Sequence, residues 1–406
     1  MNLKLNHISN IKSNTLQITG SKSETNRLLI LQALYPEIEI ENVSNSDDSQ
    51  LMQAALSSDT EVVDIHHAGT AMRFLTAYFA VQQGRQTILT GSKRMQERPI
   101  KILVDALRQL GCDISYEKEE GFPPIKIFGK DPKTNKVALD ANVSSQYISA
   151  LMLIASSLPT GLEIELKGKV TSVPYIMMTL HLLKEVGISG GFENNLITIN
   201  PVKVVSPKKV VVESDWSSAS YFYSLVALSK NRSVTLGSYK KKSYQGDSIL
   251  AKIYEELGVE TTFHNNTITL AKTTGSNYPE MLELDLSNSP DIAQTIAVTC
   301  FGLGKGCYLT GLHTLKIKET DRLEALKTEI EKLGGEVTIT EDTLKLSPAT
   351  SIKPDMSVDT YHDHRMAMAF APLALRTTLF INDADVVSKS YPDFWNDLKK
   401  LDFKVE

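Results

Sequence analysis

Leu107-Arg108-Gln109-Leu110-Gly111 returns, changed in detail but not in grammar, as Leu183-Lys184-Glu185-Val186-Gly187, Tyr254-Glu255-Glu256-Leu257-Gly258 and Ile330-Glu331-Lys332-Leu333-Gly334. Each copy ends an apolar helical stretch on a glycine, the residue that most easily turns a helix off through a left-handed conformation. Strand-like alternation follows. In Phe192-Glu193-Asn194-Asn195-Leu196-Ile197 and Phe263-His264-Asn265-Asn266-Thr267-Ile268 an Asn-Asn pair separates two such runs, the pattern of a two-residue hairpin. Degenerate copies fit at Ala54-Ala55-Leu56-Ser57 and Leu398-Lys399-Lys400-Leu401-Asp402. Six α/β units of about 68 residues would then fill the chain, three to a lobe, with helices packed inside a ring of sheets.

Composition narrows the class. The 406 residues carry 43 Lys plus Arg against 48 Asp plus Glu, with 42% hydrophobic residues. That is a globular balance without the basic excess of a nucleic-acid binder. Cys112, Cys300 and Cys307 show no CxxC spacing, His362-Asp363-His364 and His66-His67 match no dedicated metal motif, and no GxGxxG or P-loop is present. No metal, no cofactor and no nucleic-acid partner are expected. The apolar runs at 148–158, 292–304 and 366–375 fall short of the roughly 18 residues of a membrane span, and Met1–Ile30 holds no signal-like apolar core. The chain reads as cytoplasmic, with no membrane role.

Arginine is scarce, ten residues against thirty-three lysines, so each guanidinium fork is informative. Six of the ten lie in compact polar motifs, several of them at helix starts. Ser21-Lys22-Ser23-Glu24-Thr25-Asn26-Arg27 has the spacing of a capping box before Leu28 and Leu29. Similar starts are read at Ala68-Gly69-Thr70, Ser144-Ser145-Gln146, Asp215-Trp216-Ser217-Ser218, Ser289-Pro290-Asp291, Lys318-Glu319-Thr320-Asp321-Arg322 and His362-Asp363-His364-Arg365. Free N–H groups and the positive dipole end suit a multiply anionic ligand there, while ordinary capping explains Ser and Asp equally well.

Taken in order, these motifs resemble the 5-enolpyruvylshikimate-3-phosphate synthase family. The match extends through Arg94-Met95-Gln96-Glu97-Arg98-Pro99, Pro174-Tyr175-Ile176, Asp363-His364-Arg365-Met366-Ala367-Met368 and Lys389-Ser390-Tyr391-Pro392-Asp393. The resemblance implies a two-domain enolpyruvyl transferase fold of six βαβαββ-type repeats. A discontinuous domain of residues 1–19 and 213–406 would carry both termini, an inserted domain would hold residues 20–212, and the two would close about a hinge. The implied reaction moves the enolpyruvyl group of phosphoenolpyruvate to the 5-hydroxyl of shikimate 3-phosphate by addition and elimination, in a monomer of the shikimate pathway.

The resemblance also distributes roles. Lys22, Asp291 and Glu319 would be catalytic. Shikimate 3-phosphate would meet Lys22, Ser23, Arg27, Ser144, Ser145, Gln146, Ser172, Tyr175, Asp291 and Lys318. Phosphoenolpyruvate would meet Lys22, Gly69, Arg98, Gln146, Arg322, Arg365 and Lys389. His67, Thr314, Phe74 and Glu24 stand where the family usually has Asn, Asn, Pro and an apolar residue. The related UDP-N-acetylglucosamine enolpyruvyl transferases typically carry a Cys or Asp in a loop before an Arg-Pro, and Gly91–Pro99 has neither. An RNA 3′-phosphate cyclase-like protein and a non-catalytic sensor are the remaining alternatives.

Overall fold

The computed structural model describes residues 1–140, 144–168, 170, 173–273 and 279–406. They form two compact units, Gly20–Val212 and a discontinuous one of Met1–Thr19 with Glu213–Glu406. Each closes its own hydrophobic core.

In Gly20–Val212, strand Val62–Asp64 runs parallel to Gln86–Thr90, which pairs antiparallel with Ile125–Phe128, and that strand with Asp113–Tyr116. Lys136–Asp140, Leu162–Lys167, Leu196–Ile199 and Gly190–Glu193 repeat the same order and senses. The third sheet is reduced to its parallel pair, Ile38–Glu41 with Lys208–Val211. A parallel pair needs a crossover, and in the first two sheets it is made by helices Gly69–Ala80 and Ser145–Ala155. Both are apolar nearly all round and buried nearly all round, as that composition demands.

The discontinuous unit repeats the plan. Asn14–Gln17, Ser233–Gly237, Thr267–Lys272 and Val259–His264 form one four-stranded sheet, and Met281–Asp285, Gly306–Thr310, Leu344–Leu346 and Val337–Ile339 another. The third joins Met356–Val358, Leu379–Ile381 and the N-terminal strand Leu3–Leu5. Buried helices Trp216–Leu228, Ala293–Leu303 and His364–Phe370 precede the second strand of the three parallel pairs.

The repeat glycines do what their position requires. Gly111, Gly187, Gly258 and Gly334 have φ of +91°, +87°, +81° and +99°. At three of them the next N–H reaches back to a helical carbonyl, Cys112 to Leu107 at 3.0 Å, Ile188 to Leu183 at 2.9 Å and Gly335 to Ile330 at 2.9 Å, the Schellman closure. Asp402 makes the same turn at φ +73°, with Phe403 N–H donating to Leu398 O at 3.2 Å. The copy expected at Ala54–Ser57 does not hold: helix Asp47–Leu56 ends on Ser57 at φ −91°, and the chain continues into Val62–Asp64, whose partner is parallel. Both Asn-Asn pairs take left-handed angles, 51° and 63° at 194–195 and 44° and 57° at 265–266, as a type I′ hairpin needs.

Candidate active site

The helix starts separate into two kinds. Asp215, Asp321 and Asp363 cap their own helices, accepting from Ser218 N–H at 2.9 Å, from Leu323 and Glu324 N–H at 3.1 Å each, and from Arg365 N–H at 2.9 Å. Ser144 accepts from Gln146 N–H at 3.4 Å. Helices Lys22–Leu34 and Gly69–Ala80 open without a side-chain cap. The capping box expected at Ser21 and Glu24 is therefore not formed; Glu24 is buried and its charge supports that of Arg27 instead.

Within the discontinuous unit, the start of helix Arg322–Lys332 gathers carboxylates from three other places. Arg322 Nη1 lies 2.9 Å from Asp291 Oδ1, Nη2 lies 2.8 Å from Glu319 Oε2, and Nε lies 2.6 Å from Asp363 Oδ2. Only a planar fork with five donors can hold three acceptors in fixed directions. Arg322 is 2% exposed, and although burial opposes its charge, Asp363, Glu319 and Asp291 raise its proton affinity.

Asp291 faces three cations: Arg322, Lys318 Nζ at 3.4 Å from Oδ1 and Arg365 Nη2 at 3.5 Å from Oδ2. Burial pushes its carboxyl up, but Lys318, Arg365 and Arg322 outweigh this and hold it well below the usual carboxylate range. Asp247, in the 3-10 turn Gly246–Ile249, goes the other way, raised to about 7 by burial and then by the charge of Asp291. Its carboxylate accepts from the Ser217 hydroxyl, whose oxygen receives Arg365 Nη2 at 3.4 Å. Lys389 Nζ donates to His362 O at 2.7 Å. The structure thus brings Asp291, Lys318, Glu319, Arg322 and Arg365 into one connected cluster.

Within Gly20–Val212, a second set forms around Gly69. A Cβ built there would stand 2.6 Å from Arg98 Nη1, so the glycine is what lets that guanidinium lie against the helix start. Buried Arg73 braces the place from below, Nη1 donating to Gly69 O at 3.0 Å and Nη2 to Pro99 O at 3.3 Å. Gln146 Nε2 donates to Thr70 Oγ1 at 3.2 Å. Lys22 Nζ is 3.7 Å from Asp48 Oδ2, and His67 Nε2 is 3.8 Å from Asp47 Oδ2.

Arg27 is 2% exposed and turned into its unit: Nε donates to Thr179 Oγ1 at 2.8 Å, Nη1 to Ser23 O at 2.7 Å and Nη2 to Ser149 Oγ at 3.0 Å. Its guanidinium carbon lies 6.0 Å from the Tyr175 ring centre, and burial lowers its proton affinity to about 10. Ser145 is buried at the same helix start as Gln146. Ser172 lies outside the described residues.

Sequence reasoning did not single out Asp247, Asp363 or Arg73 as site residues. For Asp363 the signal was present, an Asp two residues before a motif arginine. For Asp247 there was none, since its proximity to Ser217 comes from contacts 30 residues apart. Among the described residues no group of three or more His, Cys, Asp or Glu side chains could hold a metal, and no helix is long and apolar enough to cross a membrane.

Comparison with known proteins agrees at the level of sequence and of fold. The family profile described as EPSP synthase (3-phosphoshikimate 1-carboxyvinyltransferase) matches residues 54–398. A 3-phosphoshikimate 1-carboxyvinyltransferase of Bacteroides fragilis strain YCH46 is 45% identical over 402 residues, covering 98% of this chain and 97% of that protein. One from Haemophilus influenzae strain PittGG is 36% identical, covering 96% of each. The solved EPSP synthase of Acinetobacter baumannii superposes with a TM-score of 0.81 at 20% identity, over 100% of this chain and 99% of its own, which shows the shared fold. With a profile over most of its length and full-length relatives this similar, the chain belongs to the EPSP synthase family.

Proposed function

We propose that this chain transfers the enolpyruvyl group of phosphoenolpyruvate to the 5-hydroxyl of shikimate 3-phosphate and releases phosphate, acting as a cytoplasmic monomer. The observation that carries the reading is the ionised Asp291 set among Lys318, Arg322 and Arg365, with Glu319 on the same arginine. The reaction protonates the methylene carbon of phosphoenolpyruvate, adds the acceptor oxygen to its central carbon, then expels phosphate as a methyl proton leaves. It needs proton-transfer groups and a dense positive environment for two phosphates and a carboxylate.

Asp291, kept as a carboxylate, suits receipt of the hydroxyl proton. Glu319, 28% exposed, suits transfer to and from carbon, with Lys22 serving both charge and proton transfer. Phosphoenolpyruvate is assigned to Lys22, Arg98, Gln146, Arg322, Arg365, Lys389 and the cradle at Gly69. Shikimate 3-phosphate is assigned to Lys22, Ser23, Arg27, Ser144, Ser145, Gln146, Ser172, Tyr175, Asp291 and Lys318. In this reading Arg27 also supports Ser23 from within, three of its five N–H donors running to Thr179, Ser23 O and Ser149.

Turnover in deuterium oxide tests the route. A transient, freely rotating methyl group puts deuterium into the vinyl methylene of the product, and product without label would contradict such an intermediate.

A further inference from the structure

Helix Arg322–Lys332 does a second job beyond holding Asp291. Seven residues after Arg322, on the same helical face, Glu329 is fully buried. Its Oε1 accepts the Tyr361 hydroxyl at 2.6 Å, and its Oε2 accepts Asp359 N–H at 3.1 Å and pairs with Lys332 Nζ at 2.7 Å. With Arg322 on Asp363, one helix therefore grips alternate residues 359, 361 and 363 of the approaching chain.

Between those grips Tyr361 and His362 have φ of 54° and 56°, a left-handed pair with no glycine. L-residues leave that region unless their surroundings hold them there. The turn has three consequences for the site. His362 O receives Lys389 Nζ at 2.7 Å, Asp363 N–H closes onto Thr360 O at 2.8 Å, and Asp363 is left free to cap helix His364–Phe370, on which Arg365 sits. Burial and the facing Glu329 carboxylate raise the Tyr361 phenol, so it stays a donor at neutral pH.

We infer that Glu329 and Tyr361 are positioning residues for the phosphoenolpyruvate-binding cations Lys389 and Arg365, acting by clamping the left-handed 361–362 turn. The inference rests on the function proposed above, and its test separates the two. Tyr361→Phe removes one oxygen and keeps the ring. It is expected to raise KM for phosphoenolpyruvate about tenfold while kcat and KM for shikimate 3-phosphate stay within about twofold. Glu329→Gln leaves one acceptor oxygen where the carboxylate serves the Tyr361 hydroxyl, Asp359 N–H and Lys332 Nζ, and is expected to raise KM for phosphoenolpyruvate in the same direction, by at least about threefold, with kcat and KM for shikimate 3-phosphate within about twofold.

Hydrogen exchange on the same proteins reads the clamp without reference to any reaction. Faster exchange in Tyr361→Phe confined to residues 359–365 is expected. An unchanged exchange pattern, an unchanged KM for phosphoenolpyruvate in an active protein, or equal changes in both KM values would each overturn the inference. An inactive wild-type protein with the expected exchange pattern would overturn the proposed function and leave the clamp standing.

Discussion

Arg322 Nε lies 2.6 Å from Asp363 Oδ2, a bond between the first residue of one helix and the cap of another, with both side chains almost wholly buried at 2% and 0% exposure. Because the same guanidinium also holds Asp291 and Glu319, the two helix starts and two candidate proton-transfer groups share one fixed element.

Arg322→Lys therefore loses more than it keeps. An ammonium cannot satisfy three carboxylates in the directions set by the fork, and a buried carboxylate stripped of its partner costs about 3–5 kcal/mol. Urea denaturation is expected to show a loss of that order, together with phosphate release reduced at least about a hundredfold. A stability change below about 1 kcal/mol would show that the network is not coupled through Arg322.

Asp291→Asn and Glu319→Gln remove proton acceptors at nearly constant shape. Steady-state phosphate release is expected to fall by about two to four orders of magnitude in each, with far-ultraviolet circular dichroism unchanged. Asp291 also has a sign in pH. Its folded pKa is depressed, so its contribution to stability is present above the unfolded value of about 3.9 and is lost only as pH falls below that value toward the folded one. Because the Asp291 charge also raises Asp247, the comparison is made with Asp247→Asn present in both proteins, where the stability difference that Asp291→Asn makes should be constant from pH 8 to about 5 and shrink in stronger acid.

Asp247 has the opposite sign. Its pKa rises from 3.8 to about 7, so the folded state holds a proton that the unfolded state has released. Stability should fall as pH climbs from about 4 to 7, by up to about 4 kcal/mol, and Asp247→Asn should flatten that slope. Denaturation at a series of pH values checks both.

Gly69→Ala places a methyl group against Arg98 Nη1, which sits at the flexible end of its side chain. The protein should lose little stability, about 1 kcal/mol or less, while KM for phosphoenolpyruvate rises about tenfold or more because the guanidinium must move. Thermal melting and initial rates read the two separately.

The repeat was legible because local geometry enforces it. Gly111, Gly187, Gly258 and Gly334 stand where the chain must turn left-handed, and Asn-Asn pairs do so in the hairpins. Local grammar failed where burial decided instead. Ser21 and Glu24 have capping-box spacing, but Glu24 is buried and its charge acts on that of Arg27. Ser57 has no left-handed partner to complete a copy.

The cluster around Asp291 was legible only as separate motifs. Nothing in Gln245-Gly246-Asp247 announces that Gln245 accepts Trp216 N–H at 2.9 Å and donates to Ser214 O at 3.0 Å, which draws Asp247 to Ser217. The 361–362 turn was equally hidden, since His362 is a type enriched at positive φ but Tyr361 before it is not.

The most direct test of the account is phosphate release from phosphoenolpyruvate by the purified wild-type protein, with shikimate 3-phosphate or UDP-N-acetylglucosamine as the acceptor. Release that depends on shikimate 3-phosphate and yields one equivalent of the enolpyruvyl product by mass spectrometry is expected. Release with the nucleotide sugar alone, or with neither acceptor, would contradict it.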